Sequence, residues 1–489
     1  MAACLLGAAG ITTLVVDKQA DIYDRPRAVA LDHEIARVLQ NIGLGEALTR
    51  FSEPFSASEY YGVDGQLIKR LDMLPPPYPL SWTPSMVFLQ PALEEALRAH
   101  LKHYACVQVS LGPELVGIQQ GADSVVAMLR QPEGGETRVE ARYVLACDGA
   151  SSTTRRLVDM SFEDLDFDQP WLVVDVRANE RGVAKLPKVS MQRCDPRRPT
   201  TYIVATGNHR RWEIMLLRGE DRFEMERPER VWELLSDWMG PQDGTLWRAA
   251  SYRFHALVAK PWRRGRVLVA GDAAHQQPPF LGQGLCQGVR DAANVTWKLA
   301  RVLRGESSPG LLDTYETERA EHVRNLTITI KSIGKLVSER DVNLARERDA
   351  RLLVEAGGTV RSQPRQDLMP TLTAGCLGSG ALRGTMFPQP MVQTAQGPRR
   401  LDDVVGGGWR LVLAGADVPA GLRERLTRLG VRSLIVSRDI VEQDAVLTAW
   451  FSRAGALAAM VRPDHYVFGT IADATKLPVF VEELEAALA

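Results

Sequence analysis

The sequence has no long apolar run, no excess of one charge and no paired-cysteine motif, and each absence excludes a class of protein. Its 59 basic and 60 acidic residues give a formal net charge of −1, so charge offers no basis for binding nucleic acid or an anionic membrane. The six cysteines form no CxxC pair and have no histidine at metal-ligand spacing. Neither a disulfide framework nor a metal site is therefore predicted, and this cysteine usage is typical of the reducing cytoplasm.

The N-terminal segment is the one stretch that resembles a targeting sequence. Met1–Val16 is apolar or small throughout, but it lacks a basic start, and Asp17-Lys18 stands where a cleavage site would need small residues. It is also shorter than the roughly 20 residues of a membrane span. The pattern instead predicts the end of a buried helix (Ala2–Ala9), a stop at Gly10 and a strand (Ile11–Val16). A chain of 489 residues with 45% hydrophobic residues is typical of a soluble protein with two or three domains.

The stretch from Arg266 to Gly288 is the most informative part of the chain. An apolar strand, Val267–Ala270, stops at Gly271-Asp272, a loop rich in proline and glycine follows, and an amphipathic helix continues from Leu285. Ligands in open α/β sheets bind beyond the carboxyl ends of the strands, and glycines let backbone N–H groups approach them. The pattern favours a cofactor site over an ordinary turn between a strand and a helix.

Two further strands end in an acidic residue. The apolar stretch from residue 143 to 147 is followed by Asp148-Gly149 and by Ser151–Thr154, and the N-terminal strand ends in Asp17. Asp17 has the position of the acid that binds the adenosine ribose in a Rossmann unit. We interpret the strand ends at 148 and 272 as one sheet edge that contacts one cofactor twice. A simple helix cap is the alternative for Ser151–Thr154.

The middle of the chain predicts a sheet that faces the substrate. Alternating strands between Phe167 and Phe254 predict an antiparallel sheet inserted between the halves of the first domain. Tyr202, Trp212 and Met215 are candidates for lining the substrate site on this sheet. Ordinary core packing is the alternative for all three side chains.

The last part of the chain predicts a linker and a separate domain. Residues 357–400 are rich in Gly, Pro, Gln and Thr, which is typical of a linker. Residues 401–489 show the order β-α-β-α-β-β-α, which resembles a thioredoxin-like domain. Because this domain lacks CxxC, a structural or dimerisation role is predicted for it, rather than thiol chemistry.

Together these motifs resemble those of single-component, FAD-dependent aromatic hydroxylases. Gly271-Asp272-Ala-Ala-His275, with Pro278 and Gly282-Gln-Gly284, is similar to their second flavin motif, and Asp148-Gly149 with Ser152 and Arg155 is similar to their Asp-Gly motif. The resemblance covers nearly the whole chain, including the tail of the phenol hydroxylase branch. The stretches most similar to 3-(3-hydroxyphenyl)propionate hydroxylases of that branch are Asp168–Asp175, Gly207–Glu213 and Pro278–Gly284.

The resemblance implies an α/β fold with a Rossmann-like FAD-binding domain formed by residues 1–160 and 255–356. It also implies an inserted antiparallel-sheet substrate domain at 161–254 and a C-terminal thioredoxin-like domain, with part of the 50–85 region facing the substrate. FAD is the implied cofactor, NADH or NADPH the co-substrate, and a homodimer the implied assembly. The residues implied to bind FAD are Asp17, Arg27, Gln90, Asp148, Gly271, Asp272, Ala273, Gly282, Gln283, Gly284 and Leu285.

In this family NAD(P)H reduces the flavin, and an oxygen atom from O2 is transferred to the ring carbon ortho to a phenol hydroxyl. The resemblance thus implies hydroxylation of a small phenolic acid in aromatic catabolism. Pro278 would shape the ring pocket, and His275 would help to deprotonate the phenol or, alternatively, act as a structural hydrogen-bonding residue. Arg211 and Arg193 are candidates for binding the substrate carboxylate.

The sequence departs from the family at one motif. The strand and the GxGxxG loop that hold the FAD pyrophosphate would lie immediately before Met1, and a shortened N-terminus is the expected reason. A natural variant with weak or no FAD binding is the rival explanation, and it corresponds to a non-catalytic, flavin-free paralogue. Within enzymes, the alternative is a flavin hydroxylase of polycyclic phenols such as polyketides.

Overall fold

The computed structural model describes residues 1–415 and 417–489. The predicted N-terminal helix and strand are confirmed as α1 (Ala2–Ala8) and β1 (Thr13–Asp17). Asp32 caps helix α2, because its side chain accepts hydrogen bonds from the backbone N–H groups of the second and third residues that follow it. The other elements of this first part are β2 (Ala30–Asp32), α2 (His33–Asn41), α3 (Gly45–Leu48), β3 (Ser52–Pro54), β4 (Ser58–Tyr61), β5 (Leu67–Asp72), β6 (Ser85–Phe88), α4 (Gln90–Leu101), β7 (Val107–Leu111), β8 (Glu114–Gln120), β9 (Val125–Arg130), β10 (Glu136–Ala141), β11 (Val144–Ala146) and α5 (Thr153–Leu157).

The middle part contains the predicted run of antiparallel strands, and two of these strands are unusually long. They are β12, with 18 residues, and β16, with 17 residues, which pair with each other along almost their whole length. The elements are β12 (Ser161–Ala178), α6 (Glu180–Lys185), β13 (Ser190–Arg193), β14 (Thr200–Val204), β15 (His209–Met215), α7 (Arg222–Met225), α8 (Pro228–Leu234) and β16 (Gly244–Lys260).

The stretch that returns to the first domain supplies a parallel strand and three helices. Strand β18 and helix α9 confirm the strand and the amphipathic helix predicted around Gly271, and two further helices follow before residue 356. The elements are β17 (Arg263–Arg264), β18 (Val267–Val269), β19 (His275–Gln276), α9 (Gly284–Leu303), α10 (Asp313–Val337) and α11 (Val342–Glu355).

The segment predicted to be a linker adds a strand to the large sheet, because β20 pairs in parallel with β5. The C-terminal order β-α-β-α-β-β-α is confirmed, and its four strands lie in the order β24-β23-β25-β26. The elements are β20 (Ser362–Pro364), β21 (Met391–Thr394), β22 (Gly397–Arg400), α12 (Leu401–Val405), β23 (Trp409–Leu413), α13 (Ala420–Arg428), β24 (Val431–Ile435), α14 (Val446–Ala454), β25 (Ala458–Val461), β26 (Val467–Ile471) and α15 (Leu477–Leu488).

The large sheet has nine strands in the order β19-β16-β12-β15-β14-β13-β4-β5-β20. The parallel strands of the first domain form two separate pieces, in which β1 pairs with β7 and β11 pairs with β18. Within the described residues, no hydrogen-bonded ladder joins these two pieces. In the described residues, β1 and β11 each pair with a strand on one side only.

Buried ion pairs attach the C-terminal domain to the first domain. Arg37 of α2 donates to Asp402 of α12 at 2.6 Å, and Arg462, which follows β25, donates to Glu318 of α10 at 2.6 Å. These side chains are almost completely buried. Such pairs need good geometry to offset the desolvation of the charges, so they fix the relative position of the two domains.

No helix in the described part of the chain is long and apolar enough to cross a bilayer.

Candidate functional site

The two acidic strand ends lie at one edge of the same sheet, as predicted. Strands β11 and β18 are parallel neighbours in the register Val144↔Val267, so the residues that follow them emerge side by side. Asp148 and Asp272 both follow these strands and are exposed to solvent. The carboxyl ends of β11 and β18 therefore form one polar edge.

Arg155 joins the two loops at this edge. Its guanidinium donates to the carbonyl oxygens of Ala273 and Ala150, both at 3.0 Å, and stacks 3.9 Å above the ring of Phe162. Ser152 caps α5, so the alternative interpretation of Ser151–Thr154 as a helix cap is also correct. Since Arg155 contacts both loops, it fixes the spacing between them.

Gly271 begins a tight turn that packs against α9. Its φ of +60° lies in the left-handed region, which favours glycine. A Cβ atom on Gly288 of α9 would lie 3.3 Å from the Cα of Gly271, so the turn and the helix approach each other closely. Asp291 of α9 accepts the N–H of Gly271 at 2.9 Å. The turn that carries Asp272 is thus held by α9.

His275 points into the protein interior. It is 1% exposed, its Nε2 lies 2.7 Å from Asp291, and its ring stacks on Trp262 at 5.6 Å between centroids. Asp291 also accepts a hydrogen bond of 2.9 Å from the buried Arg319. This geometry favours a structural role for His275 over a role as a base. Pro278, three positions further along the loop, is also buried.

The start of α9 offers free donors. Gly282 has a φ of +65° and donates to the carbonyl oxygen of Pro279 at 2.7 Å, which turns the chain into the helix. No side chain caps the first turn of this 20-residue helix, so the N–H groups around Gly284 and Leu285 stay available to an electron-rich ligand. This donor set fits the pyrimidine edge of a flavin.

Gln283 is held by a buried ion pair that the sequence did not reveal. Its side-chain NH2 donates to Asp32 at 3.2 Å, and its oxygen accepts from Arg290 at 3.0 Å. Arg290 itself lies 2.5 Å from Asp32. The cap of α2 and the first turns of α9 therefore fix the Gln283 side chain together.

Gln90 and Arg27 form the next part of the site. The Gln90 side-chain oxygen accepts the backbone N–H groups of Arg27 and Ala28 at 3.0 and 2.7 Å. Gln90 thus shapes the loop, and the exposed Arg27 guanidinium lies 5.2 Å from the ring of Tyr23. Asp17 is also exposed at the end of β1, where it accepts the N–H of Gln19 at 2.9 Å and lies 4.0 Å from Arg98.

Asp272 lies in an open concavity. Desolvation raises the pKa of its carboxyl above the usual range, although the charges of His275 and Arg27 act in the opposite direction. Solvent nevertheless reaches the side chain. Protein atoms therefore surround the carboxyl on most sides, and one side stays open to solvent. The influence of Arg27 places these two predicted cofactor residues near each other. A ribityl hydroxyl is a ligand of suitable polarity for this position.

The three candidate substrate residues do not meet at one site. Tyr202 and Trp212 are fully buried and pack with Trp238, at 5.2 Å between the rings of Tyr202 and each partner. Met215 follows Trp212 by three positions, so it lies on the opposite face of β15. Tyr202 and Trp212 thus pack in the core, which was the alternative to a role in lining the substrate site.

A second network that was missed connects the large sheet to the cofactor side. Arg211 pairs with Asp175 at 2.7 Å and donates to the carbonyl oxygens of Pro26 and Arg27, both at 2.7 Å. Although desolvation opposes it, the charge of Arg211 and the hydrogen bond from His209 lower the pKa of Asp175 to about 2. The stretches from 168 to 175 and from 207 to 213 carried the family resemblance, but no local signal showed that they meet.

Comparison with known proteins agrees with this geometry. A family model described as an FAD binding domain matches residues 1–329, and one described as the HcaD C-terminal domain matches residues 384–487. A probable NADH-specific resorcinol 4-hydroxylase of Rhodococcus jostii is 33% identical over 100% of this chain and 92% of its own length. A 3-(3-hydroxy-phenyl)propionate/3-hydroxycinnamic acid hydroxylase of Burkholderia cenocepacia is 32% identical over 95% of this chain and 90% of its own.

Solved structures share the fold over the whole chain. The flavin-dependent monooxygenase PieE in complex with FAD and substrate has a TM-score of 0.82 at 18% identity, covering 100% of this chain and 96% of that one. Aklavinone-11 hydroxylase with FAD and aklavinone has a TM-score of 0.81 at 22% identity, with the same coverage. Taken with the polar edge, the uncapped helix start and the matched family model, these comparisons show that the chain belongs to the FAD-dependent aromatic hydroxylases.

Proposed function

We propose that this protein hydroxylates a small phenol with a carboxylated side chain, of the 3-(3-hydroxyphenyl)propionate type, ortho to its hydroxyl. NADH or NADPH and O2 are the co-substrates. The family membership supports the reaction class. The substrate size rests on a single observation, which is the narrow pocket next to the predicted flavin loop.

That pocket is small and partly open to solvent. Its free volume is about 20 Å³, which is room for roughly one water molecule. Even a single-ring phenol exceeds this volume, so the lining side chains must move to admit it, and a four-ring substrate would require a larger displacement. The pocket therefore favours a small phenol over a polyketide. Its lining comprises Ala30, Leu31, Asp32, His33, Glu34, Phe55, Ser85, Leu281, Gly282, Gln283, Arg290, Arg365, Gln366 and Met369.

The residues of the chain have separate tasks in this proposal. Asp272 and the N–H groups at the start of α9 hold the ribityl and pyrimidine side of FAD, and Asp17 holds the adenosine ribose. Pro278 and Phe55 exclude water from the ring pocket. When bound, FAD supplies the redox chemistry that activates O2.

A non-catalytic, flavin-free paralogue is the second candidate. The experiment is to purify the chain, add FAD and record the flavin absorbance of the protein fraction. NADH and NADPH oxidation and product formation are then measured with 3-(3-hydroxyphenyl)propionate, resorcinol and a tetracyclic phenol.

We expect a yellow protein that incorporates one atom from labelled O2 into the phenolic acid. A protein that stays colourless with excess FAD would support the paralogue. Incorporation with the tetracyclic phenol alone would contradict the proposed substrate class. Reduced-nucleotide oxidation without a hydroxylated product would contradict the reaction itself.

A further inference from the structure

Arg365 lies in the pocket without a partner for its charge. It begins a short 3-10 turn directly after β20, the strand that adds the predicted linker segment to the large sheet. Its guanidinium lies 4.2 Å from the centre of the Phe55 ring and donates to the Ser58 hydroxyl. Its Nε is fully buried and has no hydrogen-bond partner.

Most of the buried arginines in the described part of the chain pair with a carboxylate, whereas the partly buried Arg365 does not. Arg365 takes part in none of the ion pairs of the described residues, and Asp72 is the carboxylate whose charge acts on it from farther away. The arginines that do pair with a buried carboxylate are Arg37, Arg211, Arg248, Arg290, Arg319, Arg348, Arg410 and Arg462. A buried charge is costly unless it is paired, so an unpaired one in a pocket indicates an anionic ligand.

Two neighbouring polar groups are also unsatisfied. The hydroxyl of Tyr60, on strand β4, is buried without a partner, and so is Nδ1 of His33 at the pocket wall. Burial raises the pKa of Tyr60, although the charge of Arg365 acts against this. Tyr60 is therefore a neutral hydrogen-bond donor near neutral pH. Buried polar groups are nearly always bonded, so the unpaired atoms next to Arg365 are candidates for contact with a ligand.

The arginines predicted from the sequence are already engaged. Arg211 uses its guanidinium on Asp175 and on two backbone carbonyls. Arg193 is exposed, pairs with Asp237 at 3.1 Å and lies over the ring of Trp238. Neither side chain is free to bind a ligand at the pocket.

We propose that Arg365 binds the carboxylate of the substrate's side chain, with the Tyr60 hydroxyl as a neighbouring donor. This inference rests on the proposed function and names its specificity-determining residue. A guanidinium fits a carboxylate with two parallel hydrogen bonds, and the ring of the phenol then extends toward Gly282 and the flavin. The carboxylate neutralises the charge of this partly buried arginine, which has no ion-pair partner at the pocket.

The test compares an acid with a neutral molecule of similar shape. Kinetics and binding are measured for wild type, Arg365→Gln and Arg365→Lys with 3-(3-hydroxyphenyl)propionate and with 3-propylphenol. Binding is followed by isothermal titration calorimetry on the protein with FAD added, so it does not depend on turnover. Arg193→Gln is the matched control, because it removes an arginine from an exposed pair.

We expect Arg365→Gln to raise KM and Kd for the acid about 10- to 100-fold, as for a lost hydrogen bond to a charged group, with little change for 3-propylphenol. Arg365→Lys should recover part of the loss, because it keeps the charge but not the bidentate geometry. Arg193→Gln should match wild type with both compounds. Circular dichroism and thermal melting confirm that each variant is folded.

Three results would overturn the inference. The first is equal loss with the acid and the neutral phenol, which would make Arg365 structural. The second is that wild type binds and hydroxylates the acid no better than 3-propylphenol. In that case the proposed hydroxylase reaction would stand, but the inference about Arg365 would not. The third is the absence of acid binding that depends on Arg365 in the calorimetry. This measurement separates the two hypotheses. If no phenol is hydroxylated, the proposed function fails, but acid binding that depends on Arg365 would still support the inference.

Discussion

Asp291 is the residue whose replacement tests the architecture of the flavin site most directly. Its carboxylate oxygens accept hydrogen bonds from Gly271 N–H, His275 Nε2 and Arg319 Nε at 2.9, 2.7 and 2.9 Å. Asparagine has almost the same shape, but one of its two terminal atoms is an NH2 donor. In either orientation of the amide, a donor faces a donor, and Arg319 keeps a buried charge without a counterion.

The magnitude follows from the burial of this pair. Asp291 is 0% and Arg319 1% exposed, and removing one partner of a buried pair costs about 3–5 kcal/mol. We expect Asp291→Asn to lower the free energy of unfolding by about 3 kcal/mol, because the amide oxygen keeps some of the hydrogen bonds. That is roughly a hundredfold loss in the folding equilibrium.

The pH dependence provides an internal check. Burial alone would raise the pKa of Asp291, but the charges of His275 and Arg319 outweigh it and hold this pKa below the usual range. A lowered folded-state pKa stabilises the protein above the unfolded pKa of about 4 and loses that effect as the pH falls further. The gap between wild type and Asp291→Asn should therefore narrow below about pH 4.

Urea-induced unfolding, followed by circular dichroism at pH 7 and at several lower pH values, measures both effects. The control is Asp123→Asn, whose carboxylate is 99% exposed in its pair with Arg266 and whose loss should leave the unfolding midpoint unchanged. The reasoning would be refuted if Asp291→Asn unfolded within about 1 kcal/mol of wild type at pH 7.

Three further predictions concern the same region. Gly271→Ala should lower the free energy of unfolding by about 1–2 kcal/mol, because the φ of this residue is +60°, and it should also weaken FAD binding in a fluorescence titration. The control is Gly305→Ala, at φ +72° outside the site, which should lower stability alone. Arg155→Ala removes two hydrogen bonds to backbone carbonyls, so it should weaken FAD binding and lower stability by about 2 kcal/mol; unchanged FAD affinity would contradict its role in spacing the loops. Desolvation raises the pKa of Glu213 to about 7. Wild type should therefore lose stability relative to Glu213→Gln as the pH rises from about 4 to 7. A difference in unfolding free energy that stays constant over that range would contradict this.

The parts of the fold that follow from local patterns were predictable from the sequence. Strand β18 and helix α9 were placed within a few residues, because their apolar spacing and the glycines between them are local signals. The cap at Asp32 and the parallel strand ends at 148 and 272 were predictable for the same reason. The C-terminal order of strands and helices has equally regular spacing.

The contacts that complete the site were not predictable, because they join residues far apart in the chain. Arg290 reaches Asp32 across 258 positions, and Arg211 reaches the carbonyl of Pro26 across 185. Neither pair produces a period or a motif. Arg365 lies in a segment whose composition is that of a linker, so nothing local marks it as part of a pocket.

Face assignment on the large sheet was the other limit. Aromatic residues on a strand suit a substrate wall and a core equally well, and only the register of β15 with β12 and β14 decides which face each one occupies. The register puts Trp212 opposite Tyr202, beneath α7 and α8, while Arg211 faces the cofactor side. The charged residue of this strand, and not its aromatic one, therefore lies toward the functional site.

Helix α9 shows why the site needs polar contacts in its interior. Besides its apolar positions, the helix carries a buried polar stripe with spacings of three and four residues: Gln287, Asp291, Asn294 and Lys298. Apolar packing tolerates rearrangement, whereas hydrogen bonds between charged groups fix distance and direction. Asp291 holds the turn at Gly271, and Asn294 and Lys298 bond to Glu318, which also bonds to the C-terminal domain through Arg462. The stripe thus sets the axial position of α9, and with it the position of the N–H groups at Gly284 that we propose bind the flavin.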